Sequence, residues 1–245
     1  MPFTFSHPAI ILPLNYLPKR WISLTALVAG SIIPDFEYFI TMKSGSVYSH
    51  TWLGLFWFDL PLALLVIWVY NCWVKNQLID HLPTFFNKRL SPFKHPGGTY
   101  FMQRWAIIII SVIIGGASHL IWDSFTHWGG YFAMRIPFIN SWVEVGDHGI
   151  PVFVILQLLS SVVGALAILI VICLLPAAKL TKAPQIFFYW FKIAAIALPI
   201  ILVRFHNGLR RHEIEDLIDT AISGTLIGMI VISVVTPVTK VAGDQ

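Results

Sequence analysis

Six apolar runs of about twenty residues each divide the sequence: 22–40, 52–74, 104–124, 150–175, 186–205 and 217–238. A helix rises about 1.5 Å per residue and the hydrocarbon core of a bilayer is about 30 Å thick, so each run is long enough to cross once. None alternates in polarity over about ten residues, as a barrel strand does. Without water the backbone must satisfy its own polar groups, which a helix does within one segment. The pattern predicts an all-α, polytopic transmembrane helix bundle, one integral membrane domain over 1–245. Residues 3–17 form a shorter apolar stretch broken by Pro8 and Pro13 and ended by Pro18, which predicts a short, broken N-terminal inserted helix. Two connections stand out. The segment 75–103, rich in proline and glycine, reads as an irregular loop; 125–149 is aromatic and glycine-rich. No repeat of fixed period is evident.

Composition points the same way. Of 245 residues 57% are hydrophobic and 11% charged, with a mean hydropathy of +0.76, whereas a soluble domain is about 25% charged. The net charge of +4 needs no nucleic-acid partner, because basic loops on an anionic leaflet account for it. If the first span starts in the cytoplasm, eleven of the 16 basic residues fall on that side, among them Lys19, Arg20, Lys88, Arg89 and Lys94. The bias predicts a cytoplasmic Lys19-Arg20 pair and a cytoplasmic C-terminus. The N-terminus carries no feature of a cleaved signal peptide. Cys72 and Cys173, alone in separate apolar runs, make neither a disulfide framework nor a thiolate site. Many Trp and Tyr residues near span ends, such as Trp21, Trp105, Trp128 and Trp142, form the aromatic belt of a membrane protein.

Against this background the ionisable residues within or beside apolar runs are the informative ones, because such groups are costly in a membrane and mark interior sites. They are His7, Asp35, Glu37, His50, His119, Asp123 and His127. The topology gathers them at the outer ends of the first three spans. His119 and Asp123 are four apart and share a helix face, with His127 a further turn along if the helix persists. Imidazole and carboxylate together suit zinc or another divalent transition metal. His7, Asp35, His50, His119 and Asp123 are the candidate ligands for one or two ions. Glu37 is a candidate ligand, orienting group or general base, and His127 a candidate acid/base. The competing reading is packing and capping by ordinary polar side chains, which is favoured for His81, His95 and His148. The segment RFHNGLRRHEIED adds Arg204, Arg210 and Arg211, suited to phosphate but equally able to pair with its own acids.

The opening MPFTFSHPAIILPL, the Pro-Asp of GSIIPDFEYF, the Ser-His of YSHTWLG and the block GGASHLIWDSFTHWGG resemble bacterial inner-membrane proteins called membrane-bound metal-dependent hydrolases. More closely, they resemble an uncharacterised branch described as a domain of unknown function. The likeness covers about residues 1–130. More distantly, Asp35, His50, His119 and Asp123 are similar in order to the zinc ligands of zinc-dependent phospholipase C. Its further His-x-x-x-Glu has no counterpart here, which favours one or two ions over three. The resemblance implies a zinc-dependent hydrolase of the inner membrane, acting at the outer face on a membrane lipid or lipid-linked phosphoester. A transport protein with a proton or metal-ion relay, and a non-catalytic protein stapled by metal, are the alternatives. Transport ranks lower because spans 52–74, 150–175 and 186–205 are almost bare of polar residues beyond their ends.

Overall fold

The computed structural model describes residues 4–94, 103–179, 185–206 and 214–236. Six helices among them are long and apolar enough to cross a membrane: α1 Leu24–Thr41, α2 Leu55–Asp80, α3 within Trp105–Arg135, α4 Val152–Leu174, α5 Ile186–His206 and α6 Ile214–Val235. Each coincides with one of the six apolar runs, and the chain is an integral membrane protein. The N-terminal stretch is broken as its prolines require, into turns at Thr4–Ser6 and Leu12–Tyr16 around a short helix, Pro8–Ile11.

The irregularities have local causes. α1 opens on Ser23, whose side chain accepts from the Ala26 N–H at 3.4 Å. Pro34 has no N–H to continue the ladder, so α1 tightens to a 3₁₀ turn over Ile33–Asp35 before resuming at Phe36–Thr41. α2 carries two π-helical turns, Leu55–Asp59 and Tyr70–Val74. α3 ends at Thr126, and His127 is extended, at φ −117° and ψ 150°.

The expectation of an irregular loop over 75–103 is corrected in part. α2 runs on to Asp80, and Thr84–Leu90 forms another helix with Pro83 just ahead of it, where a missing N–H costs nothing. Residues 95–102, which include His95, lie outside the described part. The second connection holds a short helix, Tyr131–Arg135, and a hairpin of β1 Trp142–Val145 with β2 His148–Pro151, in which Trp142 faces Pro151 and Val145 faces His148. Its two-residue turn has Gly146 at φ +61°, the positive φ that such a turn demands of its first residue. The fold is thus helical but for this one ribbon among the described residues.

The chain divides into two compact units. The first comprises Met1–Phe36, Val47–Leu65 and Arg104–Val171. Its centre is the contact between α1 and α3. A Cβ on Gly30 would lie 2.3 Å from the Val112 carbonyl oxygen, and one on Gly115 would lie 2.3 Å from that of Leu27. The two backbones therefore touch, which is how membrane helices gain van der Waals contact where lipid offers no hydrophobic drive. Ala26, Leu27, Ile108 and Val112 are buried around that contact. Ile11 packs with Ile22 and Leu27, and the Ser6 hydroxyl donates to the Ser161 carbonyl at 2.8 Å, which fixes the N-terminal segment on both sides.

The second unit comprises Glu37–Ser46, Val66–Gln103 and Ile172–Gln245. Tyr189, Ile193 and Ile232 form its core between α5 and α6. The Asp216 carboxylate accepts from the Ser44 N–H at 2.7 Å and the Ser44 hydroxyl at 2.9 Å, and the Ser223 hydroxyl donates to the Phe39 carbonyl.

Candidate metal centre

Six of the seven singled-out residues belong to the first unit, and all six meet. Pro34 and the 3₁₀ turn present Asp35 about two thirds of the way along α1, 2% exposed. His119 and Asp123 lie one turn apart on the inner face of α3, and His119 is fully buried. His50 precedes α2 and adopts φ +56°, a left-handed conformation that costs a non-glycine residue about 1–3 kcal/mol and recurs at functional sites. The N-terminal segment brings in His7, 3% exposed, its ring stacked on that of His119 with centroids 3.8 Å apart.

The ligand atoms converge on a common edge. The Nε2 atoms of His50 and His119 are 3.4 Å apart. Asp35 Oδ1 lies 3.2 Å from the first and 3.6 Å from the second. Asp123 Oδ2 lies 3.4 Å from the first and 3.1 Å from the second. Bonds of about 2.0–2.1 Å to a tetrahedral ion put neighbouring ligand atoms about 3.3 Å apart, so all five separations fit a zinc-sized ion. The other oxygen of Asp123, Oδ1, faces His7 Nε2 at 3.6 Å and His127 Nδ1 at 3.4 Å. Asp123 is thus the hub, with two imidazoles on each oxygen.

The surroundings orient these donors. His119 Nδ1 is 2.8 Å from the Ser31 carbonyl oxygen, which can only accept, so Nδ1 carries the proton and Nε2 is turned inward. This is the arrangement that orients a metal-ligating histidine elsewhere. His50 Nδ1 is 2.9 Å from the Ser49 hydroxyl, which turns its Nε2 the same way. Burial pushes the His50 imidazole down, but hydrogen bonds to Asp123 and Asp35, and their charge, outweigh it and raise its pKa to about 9. His7 Nδ1, Asp35 Oδ2 and Asp123 Oδ1 are buried without a hydrogen-bond partner. A buried polar atom left so costs about 1–3 kcal/mol, more when charged; a cation between the two Nε2 atoms would offset the charge of both carboxylates through Asp35 Oδ1 and Asp123 Oδ2. The donor set therefore fits a divalent ion: three histidines and two aspartates, with a fourth histidine at the rim.

His127 is the partly open member, its side chain 29% exposed, and it reaches Asp123 although the helix stops one residue short of it. Two sets of ligand atoms lie within 4.8 Å of one another, His7 with His119 and Asp123, and Asp35 with His50 and His119; Glu37 is buried but belongs to the second unit and to neither of these His/Asp groups. Arg204, in the second unit, donates to the Met42 carbonyl at 3.4 Å; Arg210 and Arg211 lie outside the described residues.

Sequence reasoning passed over several buried ionisable groups. Asp59 is 0% exposed, in a π-helical turn of α2, and Asp216, Asp219 and Lys75 are 7, 2 and 7% exposed. The reading of 52–74 as nearly bare of polar groups missed Asp59. Its signal was present: an acid in WFDLPLALL, about two turns inside an apolar run.

The fold and site define a class, that of helical integral membrane proteins with a buried His/Asp cluster. The chain belongs to the family DUF4184, a domain of unknown function, whose family model matches residues 1–234. No curated protein and no solved structure matches it.

Proposed function

We propose that this protein is a metal-dependent hydrolase of the bacterial inner membrane, binding one or two divalent ions, zinc foremost, and acting at the outer face on a membrane lipid or lipid-linked phosphoester. The observation that carries the reading is the shared edge of His50 and His119 Nε2 atoms flanked by Asp35 and Asp123 at 3.1–3.6 Å. Zinc, when bound, supplies Lewis acidity beside the scissile bond. Asp35, His50, His119 and Asp123 would hold it, and His7 faces the second oxygen of Asp123. The Ser31 carbonyl keeps His119 in the ligating tautomer. His127 is the residue placed to move a proton: its Nδ1 faces Asp123 and its ring is partly open to the outside. It takes a proton from the attacking water and returns it to the leaving oxygen, with Asp123 steadying the imidazolium. The hydrolase resemblance of residues 1–130 agrees with this chemistry, and the Lys/Arg asymmetry supports the outward orientation.

The test is metal analysis of the purified protein together with phosphoester turnover in lipid. About one or two equivalents of divalent metal, with turnover lost in His119→Ala, is the expected result. Protein free of metal after purification without chelators would sink the reading.

Transport through a proton or metal-ion relay is the second reading, and the buried Asp59 within α2 favours it. Metal-driven or proton-driven flux in proteoliposomes, lost in Asp59→Asn, would select it.

A further inference from the structure

The stretch after His127 carries a surface unlike a water-facing loop. Trp128, Tyr131, Phe138 and Trp142 are 71, 59, 71 and 61% exposed, and Met134 and Val143 are 45 and 42% exposed. These side chains do not point outward because the backbone is loose. Ala133, Ile139 and Phe153 form a small core with Phe125 and Ile136 beneath them. The Val152 N–H donates to the Ser141 carbonyl at 3.0 Å, and the Trp128 ring meets that of Phe153 at 5.8 Å.

Soluble surfaces scatter large apolar side chains singly; a concentration of them marks an interaction surface. What covers this one follows from the chain itself. The stretch is continuous with α3 at one end and α4 at the other, and both are long and apolar enough to span. It therefore lies where hydrocarbon gives way to water. Tryptophan and tyrosine are favoured at that level because an apolar ring carries one polar group. The Arg135 guanidinium lies 3.9 Å from the centre of the Tyr131 ring, and a long basic side chain at that depth extends its charge to the headgroups. The hairpin is graded in the same sense. Trp142 and Pro151 are at its base beside α4, and Glu144, Asp147 and His148 are at or near its turn.

We propose that residues 128–151 are an interfacial element whose exposed aromatic side chains seat in the headgroup region of the leaflet adjoining the His/Asp cluster. The rim of that cluster then opens at the lipid surface, and an amphiphile reaches it laterally from the leaflet without passing through bulk water. The route for a substrate rests on the hydrolytic reading. The lipid contact does not.

The experiment uses the full chain in vesicles of phosphatidylcholine and phosphatidylglycerol, with Cys72→Ser and Cys173→Ser as background. Single spin labels are placed by Tyr131→Cys and Phe138→Cys. Leu158→Cys, 65% exposed on α4, gives the lipid reference, and Asp147→Cys at the hairpin turn gives the aqueous one. Labels at 131 and 138 should collide with oxygen severalfold more often, relative to a water-soluble nickel chelate, than the label at 147. Equal nickel accessibility at 131, 138 and 147 would overturn the proposal. So would shielding from both reagents, which means a second copy or another protein covers the surface. Trp128→Phe, mild enough to fold, gives an independent readout: brominated phosphatidylcholine should quench less of the total tryptophan emission after the change, and unchanged quenching counts against the element. Metal content of the same proteins separates the two readings, since lipid contact without metal defeats the hydrolase alone, and metal without lipid contact defeats the interfacial element alone.

Discussion

Replacing Gly115 by alanine tests whether the contact between α1 and α3 is what builds the site. The added Cβ would sit 2.3 Å from the Leu27 carbonyl oxygen and 2.7 Å from the Ser31 nitrogen, and ordinary contact begins near 3.4 Å, so the helices must part by about 1 Å. His119 is one turn along α3 from Gly115, and its Nδ1 reaches the Ser31 carbonyl at 2.8 Å. Parting by that amount leaves about 3.9 Å, beyond hydrogen-bond reach. Overpacking costs about 1–3 kcal/mol and the lost bond about 1 kcal/mol more. In a chain of this size that lowers Tm by roughly 5–15 °C. Losing the contact that orients a ligating histidine should weaken metal binding by about 10–100-fold. The assay is a zinc titration of detergent-purified protein beside a thermal melt. Ile114→Ala, one residue away and 38% exposed, should leave metal affinity unchanged. If Gly115→Ala melts like the parent and binds zinc within about twofold of it, close helix approach does not set the site and the argument from Gly30 and Gly115 fails.

Other expectations follow from the same geometry. His119→Ala and Asp123→Ala should each lose most bound metal by elemental analysis, while His148→Ala, on the exposed hairpin, should keep it. The raised pKa of His50 means that the metal-free protein holds this proton. Its stabilising effect is complete below about 6.5 and is lost as pH rises through about 9. A metal must displace that proton, so measured affinity should climb by up to tenfold per pH unit as pH rises towards about 9 and then level; affinity flat below about 9 would refute the role given to His50. Glu37→Gln should bind metal like the parent, because Glu37 lies in neither His/Asp group. A periplasm-active reporter should be active near residue 145 and silent near residue 88; the reverse would invert the topology drawn from the basic residues.

The helices were legible because their signal is long. Six runs of about twenty apolar residues leave a membrane chain no other regular structure, and each became a helix near its expected bounds. What escaped notice was local. The helix Thr84–Leu90 was hidden because prolines at 83 and 92 suggested a loop, although a proline just ahead of a helix disturbs nothing. The hairpin 142–151 was hidden for a different reason: two four-residue strands carry too short a period-two pattern to stand out in an aromatic segment. Of the two π-helical turns of α2, Leu55–Asp59 is followed by Pro61, whose missing N–H interrupts the ladder, whereas no proline or glycine lies in or beside Tyr70–Val74.

The site was legible by another route, since ionisable residues at span ends are conspicuous against hydrocarbon. Topology alone says that His7, Asp35, His50, His119 and Asp123 share an end of the bundle; it cannot say whether they form a set of ion pairs or a shell. The geometry bears on that choice. Ion pairing seats each imidazole against its own carboxylate, whereas two imidazole nitrogens that face each other can share one proton at most and repel when both are protonated. Here the Nε2 atoms of His50 and His119 face each other at 3.4 Å, and both carboxylates lie against that same pair. The Ser31 carbonyl takes the only proton a neutral His119 has, so its inward nitrogen is then a bare lone pair. Lone pairs and carboxylate oxygens gathered within 3.1–3.6 Å repel one another unless something positive sits among them. A single proton on His50 offsets one of the two carboxylate charges at this edge and leaves the other. A divalent ion offsets both charges and would draw its ligands to the separations observed, which is why we read the cluster as a binding shell and not as a set of ion pairs.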